Sequence, residues 1–108
     1  MSEKAIEHYL GEQMKEIGGL SLKYSSGTQT GYPDRICLFP NGLTAWVEVK
    51  ASGAKPTQLQ KIRHARLRHL GQVVLVVDSR EAVKGLIEFM MKHKGDPSLL
   101  LKGGGDEV

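Results

Sequence analysis

A chain of 108 residues is long enough for one domain with a modest hydrophobic core, and not for two. Its 40% hydrophobic and 25% charged residues are ordinary for a globular protein, and its net charge of +3 is mild. No apolar run approaches the roughly 18 residues that cross a bilayer, and a single cysteine excludes an intrachain disulfide and a cysteine-rich zinc site. We therefore expect a cytoplasmic protein without membrane contact, with one domain over residues 1–94 and a flexible tail over 95–108.

The first predicted element is a helix over residues 2–17. Ser2 suits its N-cap because a hydroxyl accepts from the free N–H groups of the first turn, and Gly18-Gly19 suits its end. One stripe of apolar residues supports the helix: Ile6, Leu10, Met14 and Ile17. A short alternating strand at 20–24 and a polar loop at 25–32 follow.

Residues 31–50 are predicted to form a β-hairpin. Its second strand alternates strictly, with Ala45, Val47 and Val49 on one face and Trp46, Glu48 and Lys50 on the other. Glu48 and Lys50 are therefore neighbours on one side of the sheet.

The turn of this hairpin sets the register between its strands. Pro40-Asn41-Gly42 suits a three-residue loop closed by a left-handed glycine, and that register places Asp34 opposite Glu48. A two-residue Asn41-Gly42 turn would place Asp34 opposite Val49 instead. We favour the first register because directly opposed side chains have Cβ atoms roughly 4.5–5.5 Å apart, so that the two carboxylates can belong to one site.

Two adjacent carboxylates and an amine match the chemistry of a magnesium site. Mg²⁺ takes oxygen ligands, is usually held by one or two carboxylates, and leaves positions for water or phosphate oxygens. Lys50 could orient the attacking hydroxide or offset the charge that develops on phosphorus. The simpler alternative is that Asp34 caps a turn while Glu48 and Lys50 are solvated strand residues.

A second helix is predicted from Thr57 to about Leu70, with Gly71 as its end. Thr57-x-x-Gln60 has the spacing of a capping box, in which the Gln60 side chain bonds back to the N–H of the cap residue. This box is a complete structural explanation for Gln60.

The segment 51–77 contains no acidic residue, so its charge is entirely positive. A basic strip beside a metal site suits a polyanionic backbone. Its basic residues are Lys55, Lys61, Arg63, Arg66 and Arg68. Arg35 lies next to Asp34 but on the opposite face of its strand, where it either contacts phosphate or pairs with an acid.

Helical spacing predicts where these side chains of the second helix point. Lys61, His64 and Arg68 are expected to project outward. Arg63 and Arg66 lie near the arc of apolar residues Leu59, Ile62 and Leu70, so their stems are expected to pack while their heads reach the edge of the site.

The continuous apolar run 73–77 predicts a strand buried on both faces and reached by a right-handed β-α-β crossover. Asp78, with Glu81 three residues on, is predicted to cap a last helix. Its core stripe is Val83, Leu86, Ile87 and Met90. The triplet 99–101 is apolar and suits a partner contact. The predicted order is α-β-β-β-α-β-α.

The residues Pro33-Asp34 and Glu48-Val49-Lys50 resemble the PD-(D/E)xK signature of nucleases. With Gly31, Thr57-x-x-Gln60 and Gly71 added, the pattern resembles a small standalone VRR-NUC domain of the bacterial and phage type, over about residues 2–79. The resemblance implies an α/β restriction-endonuclease-like fold, with a mixed sheet of about four strands flanked by helices.

The resemblance also implies a set of site residues. Asp34, Glu48 and the backbone carbonyl of Val49 would hold Mg²⁺, for which Mn²⁺ substitutes. One acid of the first helix, either Glu3 or Glu7, would complete the site, although each is equally well explained as a solvated first-turn acid. Lys50 would position the nucleophile, and Gln60 would lie near the attacking water or the phosphate.

The implied function is a structure-selective DNA endonuclease, of the kind that cuts four-way (Holliday) junctions or flaps in DNA repair. A homodimer would present two such sites to two strands. Two alternatives remain at this point: a non-catalytic DNA-binding module, and a restriction- or homing-type enzyme that reads a base sequence.

Overall fold

The computed structural model describes residues 1–93, and its elements follow the order that the sequence predicts. They are α1 (Glu3–Glu16), β1 (Leu20–Lys23), β2 (Arg35–Leu38), β3 (Thr44–Val49), α2 (Gln58–His69), β4 (Val74–Val77) and α3 (Arg80–His93). The predicted tail and its apolar triplet 99–101 lie outside the described residues. None of the helices within residues 1–93 is long and apolar enough to span a membrane.

The four strands form one mixed sheet in the order β1-β2-β3-β4. The first three are antiparallel neighbours, and β4 runs parallel to β3, as expected for strands joined through a helix. The predicted three-residue turn at 40–42 is confirmed, since the Phe39 N–H donates to the Leu43 carbonyl at 2.9 Å and Gly42 has a φ of 91°. Leu38 faces Thr44 in the resulting register.

One face of the sheet carries the hydrophobic core. Because side chains alternate along a strand, Ala45, Val47 and Val49 all point to this face and are fully buried. Helices α1 and α3 cover it with their predicted apolar stripes, and the buried helical residues are Ile6, Leu10, Met14, Val83, Leu86 and Met90. Ser2 caps α1 as predicted, accepting from the Ala5 N–H at 3.1 Å.

The other face of the sheet is covered by α2 over β3 and β4, and is more open over β1 and β2. There Leu20, Leu22 and Leu38 are 56%, 45% and 36% exposed. Glu48 points to this same face, because it alternates with the core residues Val47 and Val49. The sheet therefore separates a dry core from the side that carries the ionisable groups.

Two predictions at the carboxyl end of the sheet are wrong. The run 73–77 was expected to be buried on both faces, but β4 is an edge strand and Val76 is 36% exposed. Asp78 was expected to cap the last helix, but Ser79 does so: its hydroxyl accepts from the Ala82 N–H at 3.0 Å. An apolar run indicates a strand, but it does not distinguish a strand at the edge of a sheet from a central one.

Candidate active site

Asp34, immediately before β2, lies opposite Glu48 of β3, as the hairpin register predicts. The ladder pairs Arg35 with Val47, so the preceding and following residues face each other across the strands. The Asp34 carboxylate also accepts from the backbone N–H of Val49 at 3.4 Å. The alternative in which Asp34 opposes Val49 is therefore wrong, and the two carboxyl groups share one side of the sheet.

Burial raises the pKa of both acids, and a neighbouring carboxylate adds to the effect: Asp34 acts on Glu48, and Glu7 acts on Asp34. Glu48 is only 4% exposed, and burial, followed by the neighbouring charge of Asp34, raises its pKa from 4.5 to about 7. Burial also raises the pKa of Asp34, against the opposing effect of its hydrogen bond from Val49. The Lys50 ammonium is close enough to favour the ionised form of Glu48. The negative charge of the ionised Asp34–Glu48 pair is therefore not fully compensated by nearby positive groups.

This donor set fits a hard divalent cation. Two carboxylates whose ionised forms are disfavoured by burial gain from a cation between them, and Mg²⁺ needs only one or two protein carboxylates. Within residues 1–93 no group of three or more His, Cys, Asp and Glu side chains is arranged to hold a metal ion, so a richer site such as zinc requires is not formed there. Ligation by the Val49 carbonyl stays a prediction.

Gln60 links the start of α2 to Glu48. Its Oε1 accepts from the Thr57 N–H at 2.8 Å, and the Thr57 hydroxyl accepts from the Gln60 N–H at 3.1 Å, so the predicted capping box is present. Its Nε2 donates to Glu48 Oε2 at 3.3 Å. The capping role of Gln60 is therefore confirmed, while the other end of the same amide contacts Glu48. A role near the attacking water or the phosphate stays a prediction.

His64 also contacts Glu48, and sequence reasoning missed it. It was expected to project outward, but it is 2% exposed and its Nε2 lies 3.3 Å from Glu48 Oε1. Burial, with the charges of Arg68 and Lys50, lowers its pKa, which disfavours an ion pair with Glu48 and favours a hydrogen bond. The signal was available: His64 lies four residues after Gln60, on the same helical face.

The two acids of α1 have different surroundings. Arg35 donates to Glu7 Oε2 from Nε at 2.9 Å and from Nη2 at 2.6 Å, so of the two roles considered for Arg35, pairing with an acid is the one observed. Glu3 makes no such pair among the described residues, and its charge contributes to the raised pKa of Glu48. Glu3 is thus the freer of the two candidates.

The basic residues of segment 51–77 fall into two groups. Arg63 donates to the Thr30 carbonyl at 2.9 Å and lies over the Tyr32 ring, and Arg68 donates to the Val74 carbonyl at 2.9 Å. Arg68 is exposed, as expected, although its guanidinium makes this backbone contact. The other basic residues of the segment are exposed to solvent: Lys55, Lys61 and Arg66. The apolar arc expected to carry the arginine stems is itself exposed, with Leu59, Ile62 and Leu70 at 40%, 55% and 58%.

Replacing Gly31 by Ala should loosen the 25–32 loop that leads into the site. Gly31 has a φ of +94°, and an added Cβ would lie 2.8 Å from Leu59 Cγ and 2.9 Å from Arg63 Cγ. Gly27→Ala is the matched control, since Gly27 has a φ of +82° with nothing within 4 Å of such a Cβ. Gly31→Ala should therefore lower the free energy of unfolding by about 1–3 kcal/mol more than Gly27→Ala, measured by urea denaturation. Equal losses would show that the contact with α2 does not hold the loop.

Comparison with known proteins places this site in a family. No family model matches the sequence. The protein described as "Putative nuclease p44", from Acyrthosiphon pisum secondary endosymbiont phage 1, is 44% identical over 79 residues, which cover 73% of this chain and 85% of that protein.

Solved structures agree with the sequence comparison. A structure described as "VRR_NUC domain" is 33% identical, with a TM-score of 0.74 over 82% of this chain and 97% of that one. Another, described as "VRR_NUC domain protein", is 18% identical with a TM-score of 0.65 over 82% and 86% of the two chains, and supports the fold alone. The chain therefore belongs to the VRR-NUC family of nucleases.

Proposed function

We propose that this chain is a Mg²⁺-dependent endonuclease that hydrolyses phosphodiester bonds in branched DNA. The observation that carries the proposal is the pair of opposed carboxylates, Asp34 and Glu48, beside the Lys50 ammonium. Burial raises the pKa of both, and the charge of Asp34 raises that of Glu48 further. A structural ion pair would be charge-balanced, whereas this site needs an added cation. Mn²⁺ would substitute, since it also accepts carboxylate, carbonyl and water ligands.

The chain's own residues supply binding and orientation for hydrolysis. A divalent ion, when bound by Asp34 and Glu48, polarises the phosphoryl oxygen and lowers the pKa of water. Lys50 holds the attacking water in line with the phosphorus and offsets the negative charge that develops there. The water oxygen would form a bond to phosphorus as the bond from phosphorus to the 3′ oxygen breaks. The water gives up a proton and the 3′ oxygen takes one from solvent, which leaves a 5′ phosphate and a 3′ hydroxyl. Glu3, which is not engaged by Arg35, is the acid of α1 that we expect to join the site.

Several features support DNA as the substrate and a dimer as the active form. The relatives are nucleases, and one is from a phage, which supports action on DNA in the cytoplasm of a bacterial cell.

A domain of this size cannot hold both arms of a branch, and a two-fold dimer presents two sites to two strands. The exposed leucines of β1 and β2 supply apolar surface for a second copy. Sedimentation of the purified protein measures this state directly.

Removing an exposed basic residue of α2 should weaken DNA binding through its charge alone. Lys61→Ala should reduce the slope of log affinity against log salt concentration by about 1, because one phosphate contact is lost. Lys84→Ala on α3, across the sheet from the site, should leave that slope unchanged. Fluorescence anisotropy over a salt series, with Ca²⁺ in place of Mg²⁺, gives both values. A slope unchanged by Lys61→Ala would exclude Lys61 from the interface.

The decisive experiment is a panel of four-way junction, flap, fork, duplex and single-stranded substrates. Wild-type protein should cut the branched substrates with Mg²⁺ or Mn²⁺ and not with EDTA, while Asp34→Ala should bind them without cutting. Binding without cutting by the wild type would indicate a non-catalytic module. Cutting at one base sequence, whatever the branching, would indicate a restriction- or homing-type enzyme.

A further inference from the structure

Both carboxylate oxygens of Glu48 are held by α2. Gln60 Nε2 lies 3.3 Å from Oε2, and His64 Nε2 lies 3.3 Å from Oε1. The two donors are one helical turn apart, so they reach Glu48 from the same helix face. A carboxylate with one bond to each oxygen cannot rotate freely about its last side-chain torsion, which fixes the direction of its remaining lone pairs.

His64 has no other evident reason to be buried at this position. It is 2% exposed, while the next residue, Ala65, is exposed, and an imidazole in a dry environment requires a polar partner. An ionised carboxylate can only accept hydrogen bonds, so His64 Nε2 is the donor whenever Glu48 is ionised. A ring N–H at this place orients Glu48 and leaves the other lone pairs of the carboxylate for a cation.

We propose that His64 is a positioning residue, which together with Gln60 fixes the Glu48 carboxylate in the orientation that binds the divalent ion. This inference rests on the proposed metal dependence and adds a residue that the PD-(D/E)xK pattern does not contain. It predicts that loss of the Nε2 donor weakens binding of the ion itself, before any DNA is present. Partners of this kind around metal ligands contribute about 10- to 100-fold in affinity or activity.

The test compares three variants by titration with Mn²⁺ alone, followed by electron paramagnetic resonance of the free ion. His64→Leu should weaken Mn²⁺ binding about 10-fold. His64→Gln should restore most of the affinity, because the glutamine Nε2 is the same number of bonds from the backbone as the histidine Nε2. His69→Leu, at an exposed histidine of the same helix, should bind as the wild type does. Circular dichroism establishes that each variant is folded.

The outcomes separate this inference from the proposed function. A wild-type protein that binds no Mn²⁺ would overturn the metal dependence, and the inference with it. Wild-type affinity in folded His64→Leu would overturn the inference alone. His64→Gln as weak as His64→Leu would also overturn it, since the donor would then not be what matters. If His64→Leu does not fold, the comparison of His64→Gln with the wild type decides: near-equal affinity supports the inference, and a 10-fold loss overturns it.

Discussion

Replacing Glu48 by Gln should abolish DNA cleavage and, at pH 8, make the metal-free protein more stable. Glu48 is 4% exposed and its pKa is raised from 4.5 to about 7, so its ionised form is less favourable in the folded than in the unfolded protein. Glutamine is uncharged at every pH and removes this cost. The free energy of unfolding should rise by about 2 kcal/mol, which is less than the roughly 3 kcal/mol that the shift implies, because the hydrogen bonds from α2 become weaker.

The same substitution has a defined pH dependence. Because the folded-state pKa lies above the unfolded one, the wild type loses stability as the pH rises from about 4.5 to about 7, and the loss is complete above that range. Glu48→Gln should lack this decline, so the two proteins should converge near pH 4. Urea denaturation in EDTA at pH 4 and pH 8 measures the difference.

Two controls make the result specific to the site. Glu88→Gln, at an exposed glutamate of α3, should change stability little at either pH. Added Mg²⁺ should stabilise the wild type and not Glu48→Gln, because only a binder of the native state shifts the unfolding equilibrium. A Glu48→Gln protein that is less stable than the wild type at pH 8 would mean that the carboxylate is already balanced within the fold.

Replacing Lys50 by Met should lower the rate of cleavage by about 10²- to 10³-fold while leaving DNA affinity nearly unchanged. A positive group aimed at charge that develops during the reaction contributes to the transition state and little to ground-state binding. Lys50→Arg should not restore the rate, since a planar guanidinium cannot take the place of a compact ammonium. Single-turnover cleavage at saturating protein measures the rate, and anisotropy with Ca²⁺ measures the affinity.

The matched control for Lys50 is an exposed lysine nearby. Lys55→Met should lower affinity, with little effect on the rate once DNA is saturated, because it is proposed to contact phosphate only. If Lys50→Met behaved in the same way, Lys50 would belong to the DNA-binding surface and not to the chemistry.

The hairpin was predictable because its information is local. The turn residues at 40–42 determine the register, and the register alone brings Asp34 opposite Glu48. The capping box of Thr57 and Gln60 was predictable for the same reason, since all of its donors and acceptors lie within one turn of helix.

The misplaced side chains depend on how α2 packs, which its sequence does not specify. Leu59, Ile62 and Leu70 form an apolar arc, but the helix buries the face of His64 and Leu67 instead. Glu48 favours the observed face, because a buried carboxylate requires donors and Gln60 and His64 supply them there. The need of Glu48 on β3 for hydrogen-bond donors thus outweighs the apolar pattern of the helix. The sequence of the helix alone does not show this need.

The Gln60 amide bonds to Thr57 at one end and to Glu48 at the other, so Thr57 influences the proposed site without contacting it. If the first turn of α2 opens, Gln60 loses its fixed position and its hydrogen bond to Glu48 weakens. Opening of this solvent-exposed cap would therefore affect the proposed metal site. Among natural variants that retain this glutamine, position 57 should accept serine and reject aliphatic side chains. Amino-acid substitution at position 57 would then be restricted by catalysis and not by folding alone.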